Sequence, residues 1–248
     1  MGLPHASNAL EVSVSMFMPF WDPTMILILP ALALALYAQW KVKSTYTQMS
    51  QVPSAAGRTG REVAETLLAA NGITGVTVQE IGGRLSDNYD PRSRTVHLSE
   101  DIYEGTSVAA LAVAAHEIGH VIQHHRGYLP IRMRDAFVPV AGIGSTLAIP
   151  LFFIGMLFGL RSVAGTWLMD LGILLFATAV LFHVVTLPTE FDASSRALRE
   201  LGDRGFLAPG ETVQARQVLR AAALTYVAAA AMAVLQLLRL ILIRNSRD

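Results

Sequence analysis

Four apolar stretches constrain this chain more than anything else in it. They run over about residues 25–40, 138–160, 167–187 and 218–243. Crossing a bilayer takes roughly 20 predominantly apolar residues. The first stretch is somewhat short. The third carries Asp170 near one end and His183 near the other, and the fourth is broken by Gln236 and Arg239. Any one of them alone would pass for a buried core helix. Four in 248 residues leave too little polar chain to cover them. The chain is 52% hydrophobic and 15% charged, with a mean hydropathy of +0.44, which is more apolar than a soluble domain. The expected fold is therefore mainly α: an integral membrane protein with about four transmembrane helices and a small cytoplasmic α+β portion. Its segments divide as an N-terminal stretch 1–24, span 25–40, polar portion 41–137, hairpin of spans 138–187, polar helix 188–217, span 218–243 and tail 244–248.

Charge sets the sidedness. Residues 1–22 hold no Lys or Arg, whereas Lys41 and Lys43 follow the first span at once. The positive-inside rule then places 41–137 in the cytoplasm. The hairpin's outer loop holds only Arg161, and residues 188–217 return to the cytoplasmic side. Arg244 and Arg247 fall on the outside against the rule, so an interfacial or re-entrant last segment is the alternative. The N-terminus lacks the basic region of a cleavable signal, and Ala6 stands where a myristoylation pattern wants Ser or Thr. There is no cysteine, hence no disulfide or thiolate metal site. Nineteen basic and nineteen acidic residues balance to zero, which gives no electrostatic footprint for nucleic acid.

Within the polar portion, Thr59 and Glu62 form a capping box that opens a helix ending at Asn71-Gly72. Residues 76–81 and 95–99 alternate as strands, and residues 85–92, Leu-Ser-Asp-Asn-Tyr-Asp-Pro-Arg, lie between them as a polar loop. The two strands are expected to form a short β-hairpin, and the strand ahead of the next helix is expected to offer its edge to an extended peptide.

Residues 116–120 read His-Glu-Ile-Gly-His. An alanine-rich run precedes them and Gly127 closes the helix after them. His116 and His120, four apart, lie on one helical face and can grip one Zn²⁺ from adjacent turns. Glu117 is placed to take a proton from a water on that ion. The preceding turns are apolar, so the helix is buried, and a buried Glu between two buried His is costly unless a cation compensates.

A third ligand is needed. Gln123 and Arg126 stand where the longer zincin string has Gly and His, so that class does not apply. His124 and His125 are candidates, either as ligands or as groups that support a ligand or the oxyanion, and both are also ordinary residues for a helix C-terminus. Glu190 is the stronger candidate. It is expected to open a helix just after Pro188 and to complete a His₂Glu set with a fourth position open to water. Its plain alternative, shared by Asp192, is a carboxylate complementing a helix N-terminus. The topology puts Glu190 on the same side as His116, Glu117 and His120. His183, two turns before Glu190, is expected to line or support a cavity reaching the site from the membrane side.

Residues 114–124 with the HExxH string, the 85–92 loop, Leu98-Ser-Glu and Glu190-Phe-Asp-Ala-Ser together resemble the YugP-type bacterial membrane zinc metallopeptidases. The likeness runs from about residue 25 to the C-terminus. It implies a membrane-embedded, zincin-like metalloprotease fold and peptide-bond hydrolysis. It implies one Zn²⁺ per chain on His116, His120 and Glu190, with Glu117 as base; with the charge pattern, the expected location is the bacterial inner (cytoplasmic) membrane, multi-pass, with the site facing the cytoplasm. Two positions depart from the pattern: Asn88 stands where a His is expected, and Ser194 where related membrane enzymes place Asp four residues after the third ligand. Asp192 is then the candidate to orient a ligand His. Tyr89, His97 and Arg196 are candidates to steady the oxyanion. The expected partners are the lipid bilayer and protein or peptide substrates, membrane proteins among them. The competing reading is a catalytically silent membrane scaffold with a structural metal, closed by a fourth ligand such as His124.

Overall fold

The computed structural model describes residues 23–159 and 162–246. The expectations for residues 1–22, Arg161 and Arg247 lie outside the described residues. A short 3₁₀ turn, Pro23–Ile28, leads into α1 (Leu29–Met49). The polar portion follows as α2 (Gly60–Ala70), β1 (Thr77–Ile81), β2 (Asn88–Asp90), β3 (Thr95–Ser99), the single turn α3 (Glu100–Tyr103) and α4 (Val108–His125). Three long helices complete the chain: α5 (Leu129–Phe158), α6 (Val163–Asp203) and α7 (Pro209–Asn245).

α1, α5, α6 and α7 are long and apolar enough to cross a membrane. Leu36, Leu157, Trp167 and Leu174 point outward from them and are mostly exposed, as lipid-facing residues are. α1 runs on to Met49, well past the expected end at residue 40. α5 and α6 pack through small residues: a Cβ at Gly155 would meet the Gly165 carbonyl oxygen at 2.6 Å. α7 is one unbroken helix, and its far end is held by Arg244 against Asp170 at 3.1 Å and Arg239 against Thr24 at 3.3 Å. Arg239, read from sequence as a break in the last span, and Arg244 thus sit together at one end of the bundle.

The capping box at α2 is present: Thr59 Oγ1 accepts from the Glu62 backbone and Glu62 Oε2 accepts from the Thr59 backbone, each at 3.1 Å. The sheet differs from the expected hairpin. β1 and β3 pair in parallel, and β2, read from sequence as loop, pairs antiparallel with β3, giving the order β1-β3-β2. The chain between β1 and β3 is long enough for α-free crossover pairing, and only β2–β3, closed over residues 91–94, is a hairpin. β3 is flanked on both sides, so the free edges belong to β1 and β2.

α4 is the centre of the soluble core. Ser107 caps it by accepting from Ala110 N at 3.1 Å, and it ends at Arg126 before Gly127, whose φ of +64° suits only glycine well. Ala109, Ala110, Ala112, Ala114 and Ala115 are fully buried and let neighbours approach closely. Val63 and Leu67 of α2, Val96 and Leu98 of β3, Ala197 and Leu201 of α6 and Leu219 of α7 all pack in the same cluster. The helix bearing the HExxH string is therefore held by the soluble elements on one side and by the membrane helices on the other.

Candidate active site

One face of α4 presents His116, Gly119, His120 and Gln123 to α6. The approach is close because residue 119 has no side chain: a Cβ there would lie 2.6 Å from the Ala193 carbonyl oxygen. That contact brings Glu190 to the two histidines. Glu190 Oε2 lies 3.3 Å from His116 Nε2 and 3.6 Å from His120 Nε2. Glu190 does not open a helix. Pro188 sits inside α6, which continues through it, so Glu190 is a mid-helix residue and complements no N-terminus. Proline lacks an N–H and leaves one carbonyl a turn earlier unpaired, a defect that membrane helices tolerate and soluble ones rarely do.

Gln123 fixes the chemistry of His120. It is fully buried, and its Nε2 donates to the Thr189 carbonyl at 2.7 Å and to Asp192 Oδ2 at 2.9 Å. A backbone carbonyl only accepts, so the amide orientation is set. Gln123 Oε1 must then accept from His120 Nδ1–H, 3.0 Å away. This tautomer leaves a lone pair on His120 Nε2, directed at Glu190. His116 is held likewise: its Nδ1 lies 3.2 Å from Ser194 Oγ, and its Nε2 also faces Glu190.

The three ligand atoms therefore converge on one point. Glu190 Oε2 is buried and has no hydrogen-bond partner among the described residues. An unpaired buried carboxylate oxygen costs several kcal/mol on the order-of-magnitude scale for buried charge. A divalent cation removes that cost. Two ligands each 2.0–2.1 Å from a tetrahedral zinc stand about 3.4 Å apart, close to the 3.3 and 3.6 Å found here. His116, His120 and Glu190 are the three ligand-bearing residues of this cluster. Arg134 Nη1, from the start of α5, lies 3.7 Å from the other oxygen, Glu190 Oε1, and holds the carboxylate in place.

Beside the cluster is a cavity of about 180 Å³. His116 and Glu117 of α4, Asp87, Val42 of α1, and Ala222, Thr225 and Tyr226 of α7 line it. Glu117 is buried, which pushes its carboxyl above the ordinary range while the two neighbouring imidazoles pull it back. Burial pulls His120 down, but the Glu190 carboxylate outweighs this and holds it raised. Asp87 accepts from Ser99 N at 2.7 Å and from its hydroxyl, which ties the loop before β2 to β3 at the cavity mouth. Tyr226, on the last membrane helix, completes the cavity lining.

The sequence profile of a family described as "putative neutral zinc metallopeptidase" matches residues 24–245. The chain belongs to this family. The relative described as "Putative membrane protease YugP", from Bacillus subtilis (strain 168), is 44% identical over 225 residues, 90% of this chain and 98% of that protein. No solved structure matches at a significant level. With the family and the four apolar helices together, this is a membrane protein of zinc-peptidase type.

The remaining residues nominated from sequence separate clearly. Asp192 orients His120 only through Gln123, and its other partner is Arg196 of the next turn. Arg196 pairs with Asp192 through Nε, its guanidinium stacks 5.6 Å from the Tyr128 ring, and it lies outside the cavity lining. Tyr89 packs edge-on against His124 at 5.4 Å, and both line a separate cleft with His125 and Arg94. His124 Nε2 faces Asp135 Oδ2 at 3.3 Å, without hydrogen-bond alignment, and does not join the cluster. His97, on β3 opposite Asn88, is half-buried and outside the cavity lining. His183 packs against Phe182 and is likewise absent from that lining; the membrane-side wall of the cavity comes from α1 and α7. Sequence reasoning missed Gln123, Ser194, Arg134 and Tyr226. The first two were visible only as departures from a pattern. A polar residue three after a ligand on an apolar face was the available signal for Gln123.

Proposed function

We propose that this protein is a zinc-dependent membrane endopeptidase that hydrolyses peptide bonds with Glu117 as general base. The observation that carries this reading is the Glu190 oxygen, buried without a hydrogen-bond partner among the described residues and facing the Nε2 atoms of two imidazoles. His116, His120 and Glu190 would hold one zinc ion per chain. When bound, the ion supplies a lowered water pKa and a Lewis acid for the scissile carbonyl.

The chain's own residues do the rest. Gln123 keeps the His120 imidazole in the tautomer with Nε2 free, and Ser194 holds the His116 ring in orientation through Nδ1. Glu117, desolvated at the cavity wall, takes the proton of the attacking water and delivers it to the leaving amine. The Tyr226 hydroxyl, in the same cavity, donates to the oxyanion that develops on the carbonyl. The free edge of β2, next to Asp87, is where an extended substrate pairs. Three protein ligands leave a position for water, and His124 is engaged with Asp135 instead of closing it. This favours turnover over a silent scaffold with a structural metal. Unfolded or membrane-proximal segments suit a cavity walled by α1 and α7. The charge pattern supports a site on the cytoplasmic face, and the kinship to a bacterial membrane protease supports the inner membrane as its location.

The test is hydrolysis of a fluorescent casein by the purified full chain, with and without chelator, beside Glu117→Gln. The expected result is chelator-sensitive cleavage, a loss on the order of 10²–10⁴-fold in the variant, and one zinc per chain in both proteins. Undiminished cleavage by Glu117→Gln would overturn the assignment.

A further inference from the structure

A groove of about 340 Å³ runs along the outer face of the α6–α7 hairpin, separate from the catalytic cavity. Phe191, Leu198, Ala223, Leu224 and Val227 give it an apolar floor, and Ser194 and Ser195 contribute hydroxyls. Arg216 and Arg220 stand at one end, one helical turn apart on α7, and no acidic side chain lines it. Neither arginine has an ion pair or hydrogen bond among the described residues.

Their depth is informative. Arg220 is the last charge before an apolar run, and the next along α7 is Arg239 at the opposite end of the bundle. α6 and α7 are antiparallel neighbours, so the groove passes from the arginines at the polar boundary toward Val227 inside the span. Phe191, 47% exposed, lies open on its wall. A water-facing cation pair above an apolar trough at the bilayer boundary matches the shape and charge of a glycerophospholipid. Guanidinium groups chelate phosphate oxygens in pairs, and basic pockets between membrane helices select anionic head groups.

We propose that this groove binds an anionic phospholipid, its phosphate between Arg216 and Arg220 and an acyl chain along Phe191, Leu224 and Val227. The proposal is independent of the catalytic reading. Leu219, which lines both the groove and the catalytic cavity, forms a wall common to the two.

The experiment measures retention of dioleoyl-phosphatidylglycerol and dioleoyl-phosphatidylcholine by the full chain in neutral detergent, using native mass spectrometry. The wild type is expected to prefer the anionic lipid. Arg216→Gln/Arg220→Gln should weaken phosphatidylglycerol about thirty-fold, from roughly one surface-charge increment per arginine, and weaken phosphatidylcholine less, because its choline cation already offsets the phosphate charge. Leu224→Trp narrows the trough without touching charge and should lower retention of both, which keeps the test decisive if the double variant folds poorly. Equal retention of the two lipids by the wild type would overturn the proposal, as would a charge variant with undiminished preference. Displacement by millimolar inorganic phosphate would make the pair a free-anion site. Displacement by a peptide carboxylate but not by its amide would make it a peptide site.

Discussion

Gly119→Ala tests the close helix approach that assembles the cluster. A methyl group at 119 would sit 2.6 Å from the Ala193 carbonyl oxygen and 3.1 Å from the Ala193 Cα and carbonyl carbon. All three are backbone atoms, so no rotamer change relieves the clash. Restoring ordinary contact near 3.4 Å requires α6 to retreat from α4 by about 0.8 Å. The Gln123–Thr189 bond of 2.7 Å and the Ser194–His116 contact of 3.2 Å would then reach or pass the limit of hydrogen bonding. Glu190 would move out of reach of a shared ion. Overpacking costs about 1–3 kcal/mol, while alanine regains about 1 kcal/mol of helix propensity over glycine, so the net change in stability is about 0–2 kcal/mol. Metal affinity suffers more, because both imidazoles lose their orienting partners; a loss of about 10–100-fold is expected. The assay is competition for zinc against a chromophoric chelator, alongside thermal unfolding in detergent. Unchanged zinc affinity in Gly119→Ala would refute the reasoning, whatever the unfolding temperature does.

Gln123→Leu removes the acceptor that fixes His120 and should lower zinc affinity about 10–100-fold while preserving helix content by circular dichroism; wild-type affinity would show that the tautomer is set elsewhere. Tyr226→Phe should keep full zinc content and lower kcat on casein about 10²-fold with little change in KM, and an unaltered kcat would remove Tyr226 from the oxyanion site. Single cysteines report sidedness without background, since the chain has none. Ser50→Cys and Ala208→Cys should stay shielded from an impermeant thiol reagent in intact cells, while Val163→Cys, at a well-exposed position, should react. Gly165 serves poorly for this purpose because a Cβ there would press on the Gly155 carbonyl oxygen at 2.8 Å. Labelling of Ser50→Cys from outside would invert the topology.

The spans and the HExxH helix were legible because hydropathy and helical spacing are local signals, carried by runs such as 138–160 and by five consecutive residues. Glu190 was legible as a residue but not in its setting. Pro188 reads as a helix start in water, whereas α6 passes through it. The sheet was misread because parallel pairing of β1 with β3 depends on a crossover that alternation in a five-residue run cannot encode. Ser194 looked like the loss of an orienting group, yet its hydroxyl reaches His116 from that position. Arg134 and Tyr226 come from other helices, α5 and α7, and nothing near either residue in the sequence marks it as bound for the site.

α6 crosses the membrane and carries Glu190, whereas His116 and His120 belong to the soluble core. A bound ion therefore acts as a cross-link between the two parts of the molecule. It closes a ring of roughly seventy residues from His120 to Glu190, and the chain-entropy relation for a cross-link of that size gives on the order of 4 kcal/mol as an upper figure, because an unfolded chain still threaded through the bilayer has less freedom to lose. Stripping the metal should thus loosen the soluble elements from the membrane helices, seen as faster proteolytic nicking after residue 126 and a lower unfolding temperature. Equal nicking rates with and without chelator would show that packing alone joins the two parts.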